Sequence, residues 1–442
     1  MTKPIEDTNN AAAIRTALDV PTTGALNTVG DAAQAAAETA AAKYTKPSTG
    51  IPASDLAAAA QTSLGKADSA IQDLAGMTAK FNAGTALEKA AFQSSVSGGR
   101  TLGVFSMLPI VRAALQATNA QLSDTVVLLV GDSTCRGVGS GGGGVGQFTA
   151  SIAHMLSAAC AWSGDAVSEN IIGRAGVATA TYDDRINEGG WTTLSDTLGG
   201  EGWQTSSAVA DWTYTPKIPV SVADIYYLGS PGAGTYTVKM DGRAVATVNC
   251  NTTAGLYKLR LQMPLGMHVF SASWGKTNAY HVGVDAWDGR RKRVRFINAG
   301  CTGRKTSDWT NASTAWAPFN SMGVPAPNLI DISLGIDNVI NGVADATTRA
   351  ELLSLTRKAQ TTGADVTLTT PNPIIGFDAA MDALQATYVS VAASTGAKLI
   401  DYYSSVGGRK TGMPEGGMFS SLHPSMRGYA HKRDFWLNAV EA

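Results

Sequence analysis

One short, unbroken apolar run and four comparable, largely apolar ones set the tightest limit on how this chain can fold. Val126-Val127-Leu128-Leu129-Val130 comes first, and the other four, at residues 294–297, 329–334, 366–370 and 398–400, follow only much later. The first run has no polar face, so it has to be covered on both sides, as strands of a parallel sheet are, and the four comparable runs read the same way. Helical patterns over residues 347–360 and 379–393 separate the later runs. Strands alternating with helices predict a three-layer α/β/α sandwich on a five-stranded parallel sheet.

The stretch between the first and second runs obeys a different period. Over residues 206–288 apolar and polar residues alternate, as in Ala223-Asp224-Ile225-Tyr226-Tyr227 and Tyr236-Thr237-Val238-Lys239, and Asp241-Gly242 is a tight-turn signal. This predicts an antiparallel β-sandwich of jelly-roll size, inserted after the first strand of the α/β domain. Residues 1–100 are different again. They are rich in Ala, Thr, Ser and Asp and lack Trp, which leaves little to fill a core. Leu64, Ala67, Ile71 and Leu74 recur with coiled-coil spacing over roughly two heptads, a seam that needs other copies of the chain to bury it. A disordered Ala-rich linker is the alternative.

Charge excludes some functions. The formal net charge is -1, so nothing favours electrostatic capture of nucleic acid, and the one basic cluster, Arg290 to Arg295, reads as a solvated loop or strand entrance. Cys135, Cys160, Cys250 and Cys301 are scattered, without zinc spacing, and read as buried free thiols. No signal segment opens the chain and no apolar run reaches transmembrane length, which fits synthesis in a cytoplasm without membrane insertion.

Chemistry enters where the first strand ends. Val130 runs into Gly131-Asp132-Ser133, and a residue just past the carboxyl end of a parallel strand stands where α/β sheets hold ligands. A glycine-rich turn and a helix from about Gln147 follow, which would aim the serine's own N–H at a reacting oxygen. The Gly-rich stretch 137–146 lacks the closing Gly-Lys-Ser/Thr of a phosphate-binding loop and reads as a rim loop. Far downstream, Ser420-Ser421-Leu422-His423-Pro424 offers a histidine placed as a general base.

Taken with Asn298-Ala299-Gly300-Cys301-Thr302-Gly303 and Gly335-Ile336-Asp337-Asn338, these segments resemble the SGNH (GDSL-type) hydrolase family over about residues 120–205 and 290–442. The four blocks come in the family's order. The resemblance implies a serine esterase with Ser133 as nucleophile and His423 as base, needing no cofactor or metal; with the resemblance of the N-terminal segments below it implies a carbohydrate O-deacetylase. Backbone N–H groups of Ser133 and Gly303 would hold the oxyanion. Two departures stand out. The third block usually reads Gly-x-Asn-Asp, its asparagine donating to the oxyanion, whereas Asp337 holds that place and Asn338 comes next; the expectation is a shifted loop that turns Asn338 inward. The fifth block usually supplies an acid three residues before the histidine, where this chain has Ser420. Glu415 and Asp401 are the candidate replacements, beside an unassisted Ser133–His423 dyad.

The N-terminal segments Ala17-Leu18-Asp19-Val20-Pro21-Thr22-Thr23 and Tyr44-Thr45-Lys46-Pro47-Ser48-Thr49-Gly50-Ile51-Pro52 resemble anchors and stems of phage tail spikes and tail fibres. That resemblance implies a virion-attachment segment at 1–45, joined to other tail or baseplate proteins, and a helical trimeric stem at 46–100. The hydrolase domain then falls at 101–205 and 291–442, with a carbohydrate-binding-like sandwich at 206–290. Tyr226, Tyr227, Trp274, Tyr280 and Trp287 could stack on sugars, although core packing accounts for most of them. The expected role is a homotrimeric spike, made in the host cytoplasm, that deacetylates capsule or O-antigen at the bacterial surface. A decayed, lectin-like receptor-binding tail protein and a cellular carbohydrate acetylesterase are the alternatives.

Overall fold

The computed structural model describes residues 108–140, 151–159, 166–174, 183–408 and 412–441. The attachment and stem segments, Cys160 and any helix start near Gln147 lie outside the described residues.

All five apolar runs become strands of one parallel sheet. Its order is Lys398–Ile400, Asp365–Thr369, Leu329–Ser333, Thr125–Gly131, Val294–Asn298, with the two-residue strand Ala166–Val167 added at the far edge. Every pairing is parallel. Thr125–Gly131 is buried throughout, and its alternate residues serve two separate cores. Val127 and Leu129 meet Phe296, Val111 and Trp436 on the side of helices Pro109–Asn119, Ile152–Ala159 and Met426–Glu441. Leu128 and Val130 meet Ile330, Leu352, Leu355 and Tyr388 on the side of Asp345–Gln360 and Asp378–Thr395. Two-sided covering is what an unbroken apolar run demands. Because the first strand is central, the later ones lie on both sides of it, which creates a crevice at its carboxyl end.

The interrupting region forms two antiparallel sheets. One runs Arg243–Asn249, Thr235–Met240, Phe270–Lys276, Asp211–Tyr214, Ile186–Asn187. The other runs Gly255–Gly266, Val220–Gly229, Ala279–Trp287, Gly200–Thr205, Thr192–Thr197, with Asn170–Ile172 paired to Ala279–Trp287 as well. Between the sheets Trp203, Trp212, Tyr214, Tyr236 and Phe270 fill a core of their own. The boundary expected at residue 206 moves: strands from Asn170 onward already belong to these sheets, not to the α/β layer.

The second sheet is covered on its outer face too. Ile225 and Val284 point into the sandwich core, whereas Tyr226, Leu228 and Val282 join the core of the parallel sheet. Tyr226 and Trp287 are therefore buried and unavailable to a sugar, while Tyr227, Trp274 and Tyr280 remain partly exposed. The basic cluster is likewise tied down where the two architectures meet. Arg290 and Arg293 both reach the Asp288 carboxylate, and Arg295, buried, pairs with Asp285 and lies 3.9 Å from the centre of the Trp287 ring. For Arg295 this corrects the solvated-loop expectation, since a charge that deep is tolerated only when paired. Cys135, Cys250 and Cys301 are buried free thiols. Among the described residues no helix is long and apolar enough to cross a membrane.

Candidate active site

The central strand ends in a turn with almost no room. A Cβ on Gly131 would sit 2.3 Å from the Cys135 Cβ and 2.7 Å from the Ser333 carbonyl oxygen, so only glycine fits there. Asp132 then caps the four-residue helix Ser133–Arg136, its Oδ1 accepting from the Thr134 N–H at 2.9 Å and the Thr134 hydroxyl at 2.8 Å. With Asp132 occupied in shaping the turn, Ser133 is left at the first helical position. Its Oγ lies 2.8 Å from His423 Nε2, across 290 positions of sequence.

His423 is held by its own loop. Its backbone oxygen accepts from the N–H groups of Phe419 and Ser420, and its N–H donates to Ser420 Oγ at 3.0 Å. Asn372 Nδ2 donates to the Leu422 carbonyl at 2.9 Å, and Ile375 N–H donates to the Ser421 carbonyl, fastening the loop to the segment after strand Asp365–Thr369. On the other side Gly139 packs so tightly that a Cβ there would be 2.6 Å from the Pro424 oxygen and 3.1 Å from the His423 Cβ.

Among the described residues the far ring nitrogen of His423 faces no carboxylate. Nδ1 is 3.3 Å from Ser420 Oγ, which also accepts from the Leu422 and His423 N–H groups. Burial alone lowers the His423 pKa below its ordinary value; no acid raises it. Both candidate acids are overturned. The Asp401 carboxylate accepts from Ser404 N–H, Thr370 Oγ1 and Gln385 Nε2, capping the helix Tyr402–Ser405, and Glu415 is exposed. The geometry is a Ser–His dyad with a serine behind it.

The turn after strand Val294–Asn298 packs onto the nucleophile's helix. Asn298 Oδ1 accepts from Gly300 N–H at 3.0 Å, its Nδ2 donates to the Arg136 carbonyl, and a Cβ on Gly300 would lie 2.4 Å from Arg136 N. Gly303 closes this turn, exposed, with φ +74°, a conformation that favours glycine.

The strand Leu329–Ser333 pairs Ser333 with Gly131 and leads into Gly335, φ +114°, which opens the helix Ile336–Ile340. Here the structure corrects the expected loop shift. Asn338 is buried and fully engaged: Nδ2 donates to Thr306 Oγ1 at 2.6 Å and Thr348 Oγ1 at 2.9 Å, and Oδ1 accepts from Thr306 N–H at 3.0 Å. It has no N–H left for a substrate oxygen. Asp337, also buried, has an Oδ2 with no hydrogen-bond partner. Burial, then the charges of Asp132 and Asp308, push its pKa up to about 7, against the opposing pull of Lys305.

Some supporting residues carry no signal in the sequence. Asn372 fixes the histidine loop, Thr306 and Thr348 hold Asn338, and buried Lys432 donates to Ser333 Oγ at 3.2 Å beneath the rim. Only Thr306, three positions past Gly303, stands close enough to a recognised block to have been suspected. Among the described residues no group of three or more His, Cys, Asp or Glu side chains is placed to hold a metal ion.

A serine hydroxyl against an imidazole, at the carboxyl rim of a parallel sheet, defines the class of serine hydrolases. The model of the GDSL-like Lipase/Acylhydrolase family matches residues 270–431, which include His423, Asp337 and Gly303 but not Ser133. A solved structure described as a peptidoglycan O-acetylesterase in action is similar over 76% of this chain and 95% of its own, with 16% identity and a TM-score of 0.58. A lipase/acylhydrolase from Enterococcus faecalis is similar over 33% of this chain and 75% of its own, with 20% identity and a TM-score of 0.28. No curated protein matches the chain. Residues 270–431 therefore resemble the GDSL-like hydrolases in sequence, and the likeness to the O-acetylesterase structure is one of fold.

Proposed function

We propose that this protein is a carbohydrate O-deacetylase that removes acetyl groups from a bacterial surface polysaccharide. The observation that carries the reading is the 2.8 Å contact between Ser133 Oγ and His423 Nε2. Ser133 Oγ attacks the ester carbonyl as its proton passes to His423 Nε2, and the carbonyl oxygen becomes an oxyanion. Backbone N–H groups of Ser133 and Gly303 stabilise that charge. His423 returns the proton to the departing sugar hydroxyl, leaving an acetyl ester on Ser133. Water, deprotonated by His423, then releases acetate and regenerates the serine.

A carbohydrate substrate is supported by the likeness, over sandwich and hydrolase alike, to a fold described as a peptidoglycan O-acetylesterase. The phage setting rests on residues 1–100 alone: an attachment segment and a three-chain stem would carry the enzyme on a virion tail. Acetate release from O-acetylated capsule or O-antigen by the full chain, but not by Ser133→Ala, tests the chemistry. Sedimentation tests the setting, since a monomer would contradict a spike. The absence of an acid behind His423 favours a second reading, a receptor-binding protein whose site has decayed. That reading predicts polysaccharide binding with no turnover of a chromogenic acetyl ester.

A further inference from the structure

The rim holds a carboxyl group that the mechanism above does not use. Asp337 stands at the second position of the helix Ile336–Ile340, four residues past Ser333, which pairs with Gly131 beside the nucleophile turn. Asp132, the neighbour of Ser133, lies close enough to act on the charge of Asp337, so the two turns adjoin. Asp337 is 7 % exposed, and its Oδ2 lacks any partner. The charged groups acting on it are Asp132 from the nucleophile turn, and Asp308 and Lys305 from the segment around helix Thr306–Trp309. Two carboxylates against one ammonium favour the uncharged carboxyl. The neighbouring amide, Asn338, is committed to Thr306 and Thr348 and cannot act in its place.

We propose that Asp337 works as a neutral carboxylic acid whose O–H donates a third hydrogen bond to the oxyanion formed on attack by Ser133. A protonated carboxyl has a donor that a carboxylate lacks, and an apolar or like-charged setting is the known means of keeping one neutral near pH 7. The inference rests on the esterase reading and makes Asp337 a catalytic residue of it. No proton is transferred from Asp337: the O–H bond stays intact, and the hydrogen bond strengthens as negative charge develops.

The consequence is an activity that falls in alkali. The acid form is the working one, so rate is retained below the Asp337 pKa of about 7 and lost as pH rises through it. His423 must be neutral to act, and burial lowers its pKa, so activity persists into mild acid. The test is kcat/KM on an acetyl ester from pH 5 to pH 9 for wild type, Asp337→Asn and Asp337→Ala. Wild type should decline about tenfold per pH unit above its apparent pKa. Asp337→Asn, an amide that donates at every pH, should keep the acid-side rate and lose the alkaline decline. Asp337→Ala should be about 10²–10³-fold slower at pH 6 and equally free of that decline. A wild-type rate flat from pH 6.5 to 9, a decline that persists in Asp337→Asn, or an undiminished Asp337→Ala would each overturn the proposal. Turnover surviving in Ser133→Ala would instead overturn the underlying esterase reading.

Discussion

Two turns leave the parallel sheet side by side, and they use their polar residues in opposite ways. After Thr125–Gly131, the acidic residue is the structural one: Asp132 satisfies the Thr134 N–H and hydroxyl, and Ser133 stays available to His423. After Leu329–Ser333, the amide is the structural one: Asn338 satisfies Thr306 and Thr348, and Asp337 keeps an unpartnered oxygen. In each turn one side chain builds the backbone and its neighbour is held ready for chemistry. Asp132 Oδ2 is buried without a partner too, but Asp132 Oδ1 accepts twice, whereas among the described residues neither carboxyl oxygen of Asp337 is bonded. A buried polar group left so costs about 1–3 kcal/mol, which favours a functional use over a packing one. Residue type alone does not assign these roles. The surrounding hydroxyls do.

The largest effect should come from the chemical half of the first turn. Ser133→Ala should lower kcat by about 10⁴–10⁶, while thermal unfolding stays close to wild type, because among the described residues the hydroxyl bonds to His423 alone. A loss below tenfold would mean that the nucleophile lies elsewhere. Next comes the structural half of the second turn. Asn338→Ala would leave the Thr306 N–H and two threonine hydroxyls without their buried partner, so it should destabilise the fold by about 2–4 kcal/mol in denaturant titration. If it left stability unchanged but abolished turnover, the roles of Asn338 and Asp337 would have to be exchanged.

The same comparison explains what could be read in advance. The parallel sheet was legible because a strand covered on both faces is mostly apolar along its length: 126–130 is apolar throughout, and 329–334 is apolar but for Asp331 and Ser333. The Ser133–His423 pairing was legible on other grounds: Ser133 follows the first buried strand, His423 stands in a Leu-His-Pro segment ahead of the last helix, and both fall in the block order of the resembled family. The start of the sandwich was not. Gly200–Thr205 contains two glycines, and Ile186–Asn187 is two residues long, so neither shows alternation; both are strands only because Ala279–Trp287 and Asp211–Tyr214 lie alongside them. The double burial of Val220–Gly229 was hidden as well, since a strand that alternates between two cores looks like one with a single covered face. At 337–338 the order of the two residues was visible, but their directions depend on Thr306 and Thr348, which are distant in sequence.

The smallest expected change concerns the far side of the imidazole. Ser420 Oγ accepts two backbone N–H groups and stands 3.3 Å from His423 Nδ1, a contact that orients the ring without a formal charge. An aspartate there can accept the same two N–H groups and add a carboxylate against Nδ1–H, stabilising the imidazolium that forms when Ser133 gives up its proton. Ser420→Asp should therefore raise kcat/KM about tenfold or more near pH 7. A carboxylate beside an imidazole favours its charged form, so the His423 pKa should rise and the acid limb of the pH profile should move upward. The two limbs then separate the two turns. Ser420→Asp shifts the acid limb, which belongs to the histidine, and leaves the alkaline limb, which belongs to Asp337, where it was. If both limbs moved together, the base and the oxyanion donor would be one coupled system, and the division of labour drawn between the turns would fail.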